Sequence, residues 1–311
     1  MIVKVKEPLP QEYPLLRHGQ ILFSYSHLTE GRIGGCKALA EALIQSGVIA
    51  IAYEMIRTKD GFRPLLAPMS KIAGHLSVIL GAYYLQIPMK GQGTLIGRIP
   101  GIPPAEVVIL GGGTVGTSAA KTALALGANV TIIEKDVRRL YQLNDLFGNK
   151  VTTVFSNEEN IREGLRKADL FINAVFCYAP KFGHSPPIIT KDMICEMMKK
   201  GAVFVDVATD EAIVEIKPSP KPFMIGDVTV ISIPNLPSRV ARVATPALAN
   251  AILPYVMEVA DKGWFKAVKE NPDLLKGLNF VEGKVVNKEV AISQELEYYP
   301  IKNFFDKNAN V

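Results

Sequence analysis

The first residues of the chain alternate apolar and charged side chains. Val3 and Val5 alternate with Lys4 and Lys6, and this period of two predicts a half-buried β-strand that prolines then end. Further along, ILFSYSHL and VIAIAYE predict two more strands, and CKALAEALIQSG between them predicts an amphipathic helix that ends at Gly47. The first part of the chain therefore predicts a small α/β domain.

The middle of the chain predicts a long helix and then a connection. SKIAGHLSVILGAYYLQIP has helical spacing, Ser70 as its N-cap and a proline stop, and its apolar content predicts burial on most sides. Residues 91–105, GQGTLIGRIPGIPPA, are rich in glycine and proline, which predicts an exposed connection between domains. The expected domains are therefore residues 1–90 with 246–311, and residues 91–245.

The strongest pattern is EVVILGGGTVGTSAAKTALALGANVTIIEKD. It predicts a strand, a glycine turn, a helix that begins at Thr114 and a second strand that ends at Glu134. Alternation of strands and helices continues after it, which predicts a parallel, doubly wound Rossmann sheet. A long helix is predicted from residue 246 to about residue 261. The fold class expected is α/β, with this sheet and a second, smaller α/β domain.

Composition and charge narrow the class of partner. Among 311 residues, 35 Lys and Arg stand against 30 Asp and Glu, and the cations are scattered among the acids. We therefore expect no nucleic-acid partner. LSVILGAYYL comes closest to the roughly 18 to 20 apolar residues of a membrane helix and is too short, so no membrane partner is expected. Cys36, Cys177 and Cys195 form no CxxC pair, which favours a reducing cytoplasm over a disulfide framework or a zinc site.

Gly111, Gly113 and Gly116 fit the pattern G-x-G-x-x-G between a strand and a helix. Gly111 permits a tight turn, Gly113 lets the backbone approach a pyrophosphate, and Gly116 lets helix and strand pack closely. The helix N-terminus offers free amides to the phosphates. Glu134 would accept hydrogen bonds from ribose hydroxyls and repel a 2′-phosphate, which favours NAD over NADP. The alternative is a glycine turn in an α/β fold that binds no nucleotide.

Four histidines could supply a group that transfers protons. His18 lies in a polar turn and is expected to be solvated, whereas His75 lies in an apolar helix and is expected to be a core histidine. His184 lies in a loop rich in proline and glycine, where a surface position is expected. His27 ends a strand in the same domain as Lys6, and both a functional and a structural role are open for it.

Four further charged side chains, two lysines and two aspartates, are weighed for a role in chemistry. A solvated strand edge explains Lys4 and Lys6, and Lys6 could instead bind a substrate carboxylate. Asp206 and Asp210, in FVDVATDEA, follow the carboxyl end of a strand, where ligands bind in this architecture. We expect Asp206 to support local structure and Asp210, further out in the loop, to be the reactive group.

The chain resembles the alanine dehydrogenase family, which also contains the NAD-binding subunit of transhydrogenase. KVKEPLPQEYPLLRHGQILFSYSHL and the glycine segment carry the resemblance most specifically, and LLAPMSKIAGHL, ADLFINAV and LANAILPYVMEVADKG extend it over nearly the whole chain. It implies an oxidoreductase that converts L-alanine to pyruvate and ammonia with NAD. Lys6 would bind the substrate carboxyl group, and His27 and Asp210 would transfer protons. The implied cofactor contacts are Ser70, Gly111, Gly113, Thr114, Val115, Gly116, Glu134, Ser156, Val175 and Asn235.

The chain also departs from this family. Members begin with an amino-terminal part of the substrate domain, including a substrate arginine, which this chain is expected to lack. The segment EAIVEIKPSPKP, after Asp210, lacks the family's glycines as well. We therefore expect an incomplete substrate domain and either a homo-oligomer, hexameric in the family, or a complementary N-terminal chain. The alternative function is a nucleotide-binding subunit or inactive paralogue that needs such a chain. An amino or keto acid is the expected small-molecule partner.

Overall fold

The computed structural model describes residues 1–29, 37–176, 187–211 and 213–307. Cys36, Cys177 and His184 lie outside these ranges. The chain divides into two compact units, which comprise Met1–Pro68 with Thr245–Val311, and Met69–Cys177 with His184–Ala244.

The strands, in chain order, are β1 (Ile2–Val3), β2 (Ile21–Ser24), β3 (Ile49–Ala52), β4 (Glu106–Leu110), β5 (Asn129–Glu134), β6 (Val151–Phe155), β7 (Leu170–Asn173), β8 (Val203–Asp206), β9 (Phe223–Ile225), β10 (Val228–Ile231), β11 (Leu278–Val281) and β12 (Lys284–Val285). The α-helices are α1 (Lys37–Ser46), α2 (Ala67–Tyr84), α3 (Thr114–Leu126), α4 (Val137–Phe147), α5 (Glu158–Lys167), α6 (Lys191–Met197), α7 (Ala241–Glu270), α8 (Pro272–Gly277), α9 (Lys288–Gln294) and α10 (Lys302–Lys307).

The first unit contains a five-stranded sheet in the order β1-β2-β3-β11-β12. The first three strands are parallel, and β11 runs antiparallel to both β3 and β12. Apolar side chains of these strands pack against α1 and α9, and the cluster includes Leu22, Leu43, Ala50, Phe280 and Val290. The sheet is therefore assembled from the two ends of the chain.

The opening strand buries the face opposite to the one that its pattern predicts. Val3 and Val5 are 42% and 58% exposed, whereas Lys4 and Lys6 are half-buried. Lys4 donates to both carboxylate oxygens of Glu12, which lies in a short 3₁₀ helix over this face. The expectation of buried valines is wrong because the covered face consists of Ile2, which packs against the core of this unit, and of two lysines that make polar contacts.

The second unit contains a seven-stranded sheet in the order β6-β5-β4-β7-β8-β10-β9. All strands are parallel except β9, which is antiparallel to β10 and was not expected from the sequence. Helices α2 and α3 pack on one face of the sheet, and α5 and α6 pack on the other. The predicted α/β fold with a doubly wound Rossmann sheet and a second α/β unit is confirmed.

Helix α2 differs from its prediction in where it begins and in the position of His75. It begins at Ala67, so Ser70 lies in its first turn and is not its N-cap. The exposed residues of the helix, which are Lys71, His75, Ile79 and Tyr83, form one face, and its other residues are buried or half-buried, as predicted. His75 donates to or accepts from Thr122 at 2.6 Å on this exposed face and is not a core histidine. His18 is exposed, as expected for a polar turn.

Among the described residues, one helix, α7, has the length and the apolar composition that are needed to cross a membrane. It belongs to the segment Leu236–Glu270, and 17% of its apolar window is buried. This stretch was not predicted from the sequence because polar residues interrupt its apolar run. A single helix of this kind is weak evidence of a membrane span, since soluble proteins also contain helices of this length and composition. The backbone of α7 also leaves helical geometry at Gly263.

Candidate active site

The glycine turn connects β4 to α3 in the second unit. Gly111 has φ 96°, and Gly113 is the N-cap residue of α3. A Cβ atom at Gly116 would lie 1.9 Å from the carbonyl oxygen of Gly111, whereas a Cβ at Gly113 would meet nothing within 4 Å. Gly116 therefore permits close packing of helix and turn, and Gly113 leaves the helix N-terminus open. This backbone fits a pyrophosphate, because the first amides of a helix have no partner within it.

The Glu134 carboxylate lies beside this turn. Its Oε2 accepts a hydrogen bond from the Gly112 amide at 2.7 Å, and its Oε1 accepts from the amides of Lys135 and Asp136 at 2.7 and 2.9 Å. These bonds fix a negative charge at the end of β5, next to the start of α3. An acid in this place suits ribose hydroxyls as donors.

Arg139 donates hydrogen bonds that stabilise the glycine turn. This role of Arg139 was not predicted from the sequence. Its Nε donates to the Gly112 carbonyl at 2.8 Å, and one Nη donates to the Thr117 hydroxyl at 2.9 Å. That hydroxyl donates in turn to the same carbonyl at 3.1 Å. The only signal in the sequence was the position of Arg139 in the first turn of the helix that follows Glu134.

Other residues of the predicted cofactor site lie at the same edge of the sheet. Ser156 directly follows β6, and its amide donates to the Glu134 carbonyl at 2.9 Å. Val175 follows β7, and its Cγ2 would lie 2.9 Å from a Cβ at Gly111. Asn235 follows β10 and has a left-handed backbone with φ 56°. The carboxyl ends of the parallel strands therefore bring these residues to one side of the sheet.

Helix α2 reaches the start of α3. A Cβ at Gly74 would lie 2.3 Å from the carbonyl oxygen of Val115, which is in the first turn of α3. Ser70 lies one helical turn before Gly74 on the same face of α2. The close crossing thus brings the helix that carries Ser70 to the helix that begins at Thr114.

Asp206 is fully buried at the end of β8. Its Oδ1 accepts from Asn173 Nδ2 at 2.9 Å and from the Thr209 amide at 3.2 Å, and its Oδ2 accepts from the Ser232 hydroxyl at 3.0 Å. Burial raises the pKa of Asp206 above its usual value, and the three donors oppose this rise. The contacts agree with the expected structural role of Asp206.

Asp210 lies four residues further on and is only 3% exposed. It lies in the loop after β8 as expected, but its burial was not predicted from the sequence. Its main-chain carbonyl accepts from the amides of Ile213 and Val214 at 2.9 and 3.0 Å, which folds the loop back over this residue.

In the first unit, the structure brings Lys6 and His27 together. Lys6 Nζ lies 2.8 Å from His27 Nε2. An ammonium group can only donate, so this contact is a hydrogen bond to Nε2 in the neutral tautomer of His27 that carries its proton on Nδ1. Glu7 Oε2 lies 3.7 Å from the same ring nitrogen. The Lys6 ammonium and the neutral His27 ring therefore lie side by side. This arrangement suits binding of an anion and transfer of a proton.

Two residues that sequence reasoning missed support this pair. The Tyr25 ring stacks on the His27 ring with a centroid distance of 5.8 Å, and Lys6 Nζ lies 5.7 Å from its centre. Glu54 is 1% exposed, and its Oε1 accepts from the His27 amide at 2.8 Å. The position of Tyr25, two residues before His27 on the same face of an extended chain, was an available signal. Glu54 closes the predicted strand VIAIAYE, but no role was inferred for it.

Comparison with known families gives matches along the chain. The family model described as "Alanine dehydrogenase/PNT, N-terminal domain" matches residues 1–73, and "Alanine dehydrogenase/PNT, C-terminal domain" matches residues 77–288. The resemblance inferred from the sequence is thereby confirmed.

Individual relatives carry the same name. Alanine dehydrogenase of Methanococcus maripaludis is 45% identical over 306 residues, which are 96% of this chain and 80% of that protein. Alanine dehydrogenase 2 of Staphylococcus aureus is 43% identical over 97% of this chain and 80% of its own length. A solved L-alanine dehydrogenase superposes with a TM-score of 0.82 at 40% identity, covering 93% of this chain and 79% of that one. A transhydrogenase of Sinorhizobium meliloti, 22% identical with a TM-score of 0.71 over 92% of this chain and 79% of that one, shares the fold.

Proposed function

Because the chain belongs to the alanine dehydrogenase/PNT family, we propose that it is an NAD-dependent alanine dehydrogenase. The reaction oxidises L-alanine with NAD and water to pyruvate, ammonia and NADH. The observation that carries the proposal is the contact of Lys6 Nζ with His27 Nε2 at 2.8 Å, in a unit separate from the glycine turn. This pair offers the charge and the proton acceptor that an amino acid substrate requires.

The cofactor part of the proposal rests on the glycine turn of the second unit. NAD, when bound, supplies the hydride acceptor. The open backbone at Gly113 and the amides of Thr114, Val115 and Gly116 are proposed to hold its pyrophosphate, and Glu134 its adenosine ribose. Ser70, Ser156, Val175 and Asn235 are proposed to complete the contact surface.

The substrate part of the proposal assigns roles to Lys6, His27 and Asp210. The Lys6 ammonium would bind the alanine carboxylate and hold the α-carbon in position. Once the α-carbon has lost its hydride, water must add to the resulting imine and lose a proton. The neutral His27 ring can accept this proton at Nε2 when Lys6 turns to the substrate, and it can return it to the departing ammonia. Asp210 is proposed to assist these proton transfers.

Two measurements test the proposed function. NADH absorbance should rise when L-alanine and NAD are added together, and NADH fluorescence should change on binding without substrate. His27→Asn keeps a polar side chain but removes the titrating ring, so turnover should fall by a factor of about 100 or more while NADH affinity stays unchanged. NADH binding without turnover in the unmodified protein would favour the alternative, a nucleotide-binding subunit. Full turnover in His27→Asn would remove His27 from the mechanism.

We also propose that the protein is a cytoplasmic homo-oligomer. Leu253 and Met257 lie one turn apart on α7 and are 56% and 50% exposed, which supports self-association through this helix. The free thiol of Cys195 fits a reducing compartment. Light scattering should give a multiple of the 33.9 kDa chain mass. A monomer that gains mass only with a second polypeptide would favour the complementary chain instead.

A further inference from the structure

At two turns, a residue other than glycine has a left-handed backbone. Each of these turns presents a side chain to which the proposed function assigns proton transfer. His27 has φ 53°, and Thr209, which directly precedes Asp210, has φ 52°. A Cβ atom disfavours this region, so such a residue persists only where its surroundings hold it there. The surroundings of both residues contain a buried carboxylate.

Glu54 supplies the carboxylate in the first unit. Its Oε1 accepts three hydrogen bonds, from the His27 amide at 2.8 Å, the Ser26 amide at 3.0 Å and the Ser26 hydroxyl at 2.8 Å. Asn279 Nδ2 lies 3.4 Å from that hydroxyl and ties it to β11. This one oxygen thus holds the consecutive amides of Ser26 and His27 in place. It thereby fixes the direction in which the His27 side chain extends from the backbone.

Asp206 supplies the carboxylate in the second unit. Its Oδ1 accepts from the Thr209 amide at 3.2 Å and from Asn173 Nδ2 at 2.9 Å. Asn173 Oδ1 in turn accepts from the Val175 amide at 3.2 Å. The same buried network therefore reaches the turn before Asp210 and a residue of the proposed cofactor site.

This arrangement is specific to the two turns. The other left-handed residues with a side chain in the described part of the chain are Lys90, Asn235, Glu282 and Glu295. Among the described residues, no side-chain carboxylate accepts a hydrogen bond from the amide of any of these four. In the described residues, a carboxylate therefore accepts a hydrogen bond from the amide of a left-handed residue only at the two turns that present the proposed proton-transfer groups. It is not a general feature of left-handed turns in this part of the chain.

We propose that Glu54 and Asp206 are positioning residues, which hold the left-handed turns that present His27 and Asp210. The inference rests on the proposed function for its effect on turnover. A proton-transfer group must lie within hydrogen-bond reach of its partner, and a misplacement of about 1 Å can lower the rate by a factor of about 100. An acceptor oxygen, and not the negative charge itself, is what each turn requires.

The experiment compares variants that keep the acceptor with variants that remove it. Glu54→Gln and Asp206→Asn keep an oxygen for the amides and should retain kcat within about threefold, whereas Glu54→Leu and Asp206→Leu should lower kcat by about tenfold to a hundredfold. NADH affinity should change little in the Glu54 variants. Leu43→Ala and Leu165→Ala remove fully buried side chains of the two units, and they serve as controls for a general loss of stability. They should lower the unfolding midpoint and leave kcat near its original value.

A second variant tests the backbone directly. Glycine adopts positive φ without a steric penalty, so Thr209→Gly should relieve the need for Asp206. We expect Thr209→Gly alone to be nearly neutral and Asp206→Leu with Thr209→Gly to recover most of the lost kcat. A merely structural role of Asp206 predicts no recovery, because the added glycine restores none of the buried hydrogen bonds. A double variant no better than Asp206→Leu would overturn the proposal for this turn.

A measurement that does not depend on turnover separates this proposal from the proposed function. Hydrogen–deuterium exchange should be slow at the amides of residues 26–27 and 209, and it should accelerate in the Leu variants but not in the Gln and Asn variants. If the unmodified protein lacks turnover but shows this exchange pattern, the proposed function fails and the positioning stands. If it turns over alanine and the folded Leu variants keep its kcat, the positioning fails and the proposed function stands.

Discussion

The two units of the molecule build their sites by different means. In the second unit, the proposed cofactor site consists mainly of backbone groups of the glycine turn, which lie within residues 111–116. In the first unit, the contact between Lys6 and His27 depends on side chains that several strands bring together. A site of the first kind can be identified from one short stretch of sequence, whereas a site of the second kind forms only when the chain folds.

The largest expected effect comes from the backbone site. Gly116→Val would place a Cβ 1.9 Å from the Gly111 carbonyl, so the turn must move. We expect a loss of about 3 kcal/mol of unfolding free energy and no detectable NADH binding. Gly113→Ala is the matched control, since nothing lies within 4 Å of that Cβ. It should fold normally and lose NADH affinity alone, as fluorescence titration and urea unfolding would show. Normal NADH affinity in both variants would remove the turn from the cofactor site.

The side-chain site is expected to respond in substrate kinetics and not in cofactor binding. Lys6→Met removes the cation beside His27, and a lost charge-assisted contact of about 1.5 to 3 kcal/mol corresponds to a ten- to hundredfold fall in kcat/KM for alanine. Lys4→Met is the control on the same strand face, because Lys4 pairs with Glu12. Equal losses in both variants would mean that the strand, and not the Lys6 ammonium, carries the effect.

The smallest expected effect is a difference in the pH dependence of stability between the units. The folded pKa of Asp206 is raised by burial, so its stabilising contribution is complete below pH 3.8 and is lost as the pH rises through the folded pKa. The hydrogen bond from Lys4 lowers the pKa of Glu12, so its contribution is present above pH 4.5 and is lost as the pH falls through the folded pKa. Urea unfolding of Asp206→Asn and Glu12→Gln, each compared with the unmodified protein, should give slopes of opposite sign. Slopes of the same sign would contradict the assigned environments.

The sequence predicted the second unit better than the first because its signals are local. Helix α3 lies at the predicted residues, since the glycine turn and Gly127 mark its ends within the same stretch. Strand β9 was missed because three residues show no period. Strand β11 was missed because its partner β3 lies at the other end of the chain.

The same distinction holds for the candidate sites. The glycine positions followed from spacing, whereas the roles inferred for Lys6 and His27 needed a family resemblance. Glu54 escaped detection because its hydrogen bonds join residues 54 and 26–27, which no local pattern connects. The burial of Asp210 escaped detection because it depends on the loop folding back onto its own carbonyl.

The antiparallel pairing of β3 with β11 has a consequence for synthesis of the protein. While the chain emerges from the ribosome, every strand of the seven-stranded sheet is made before β11 exists. At about 5 to 20 residues per second, β3 waits on the order of tens of seconds with one edge unpaired. During that interval a chaperone, rather than the native partner strand, would have to shield Ile49 and Ile51 from aggregation.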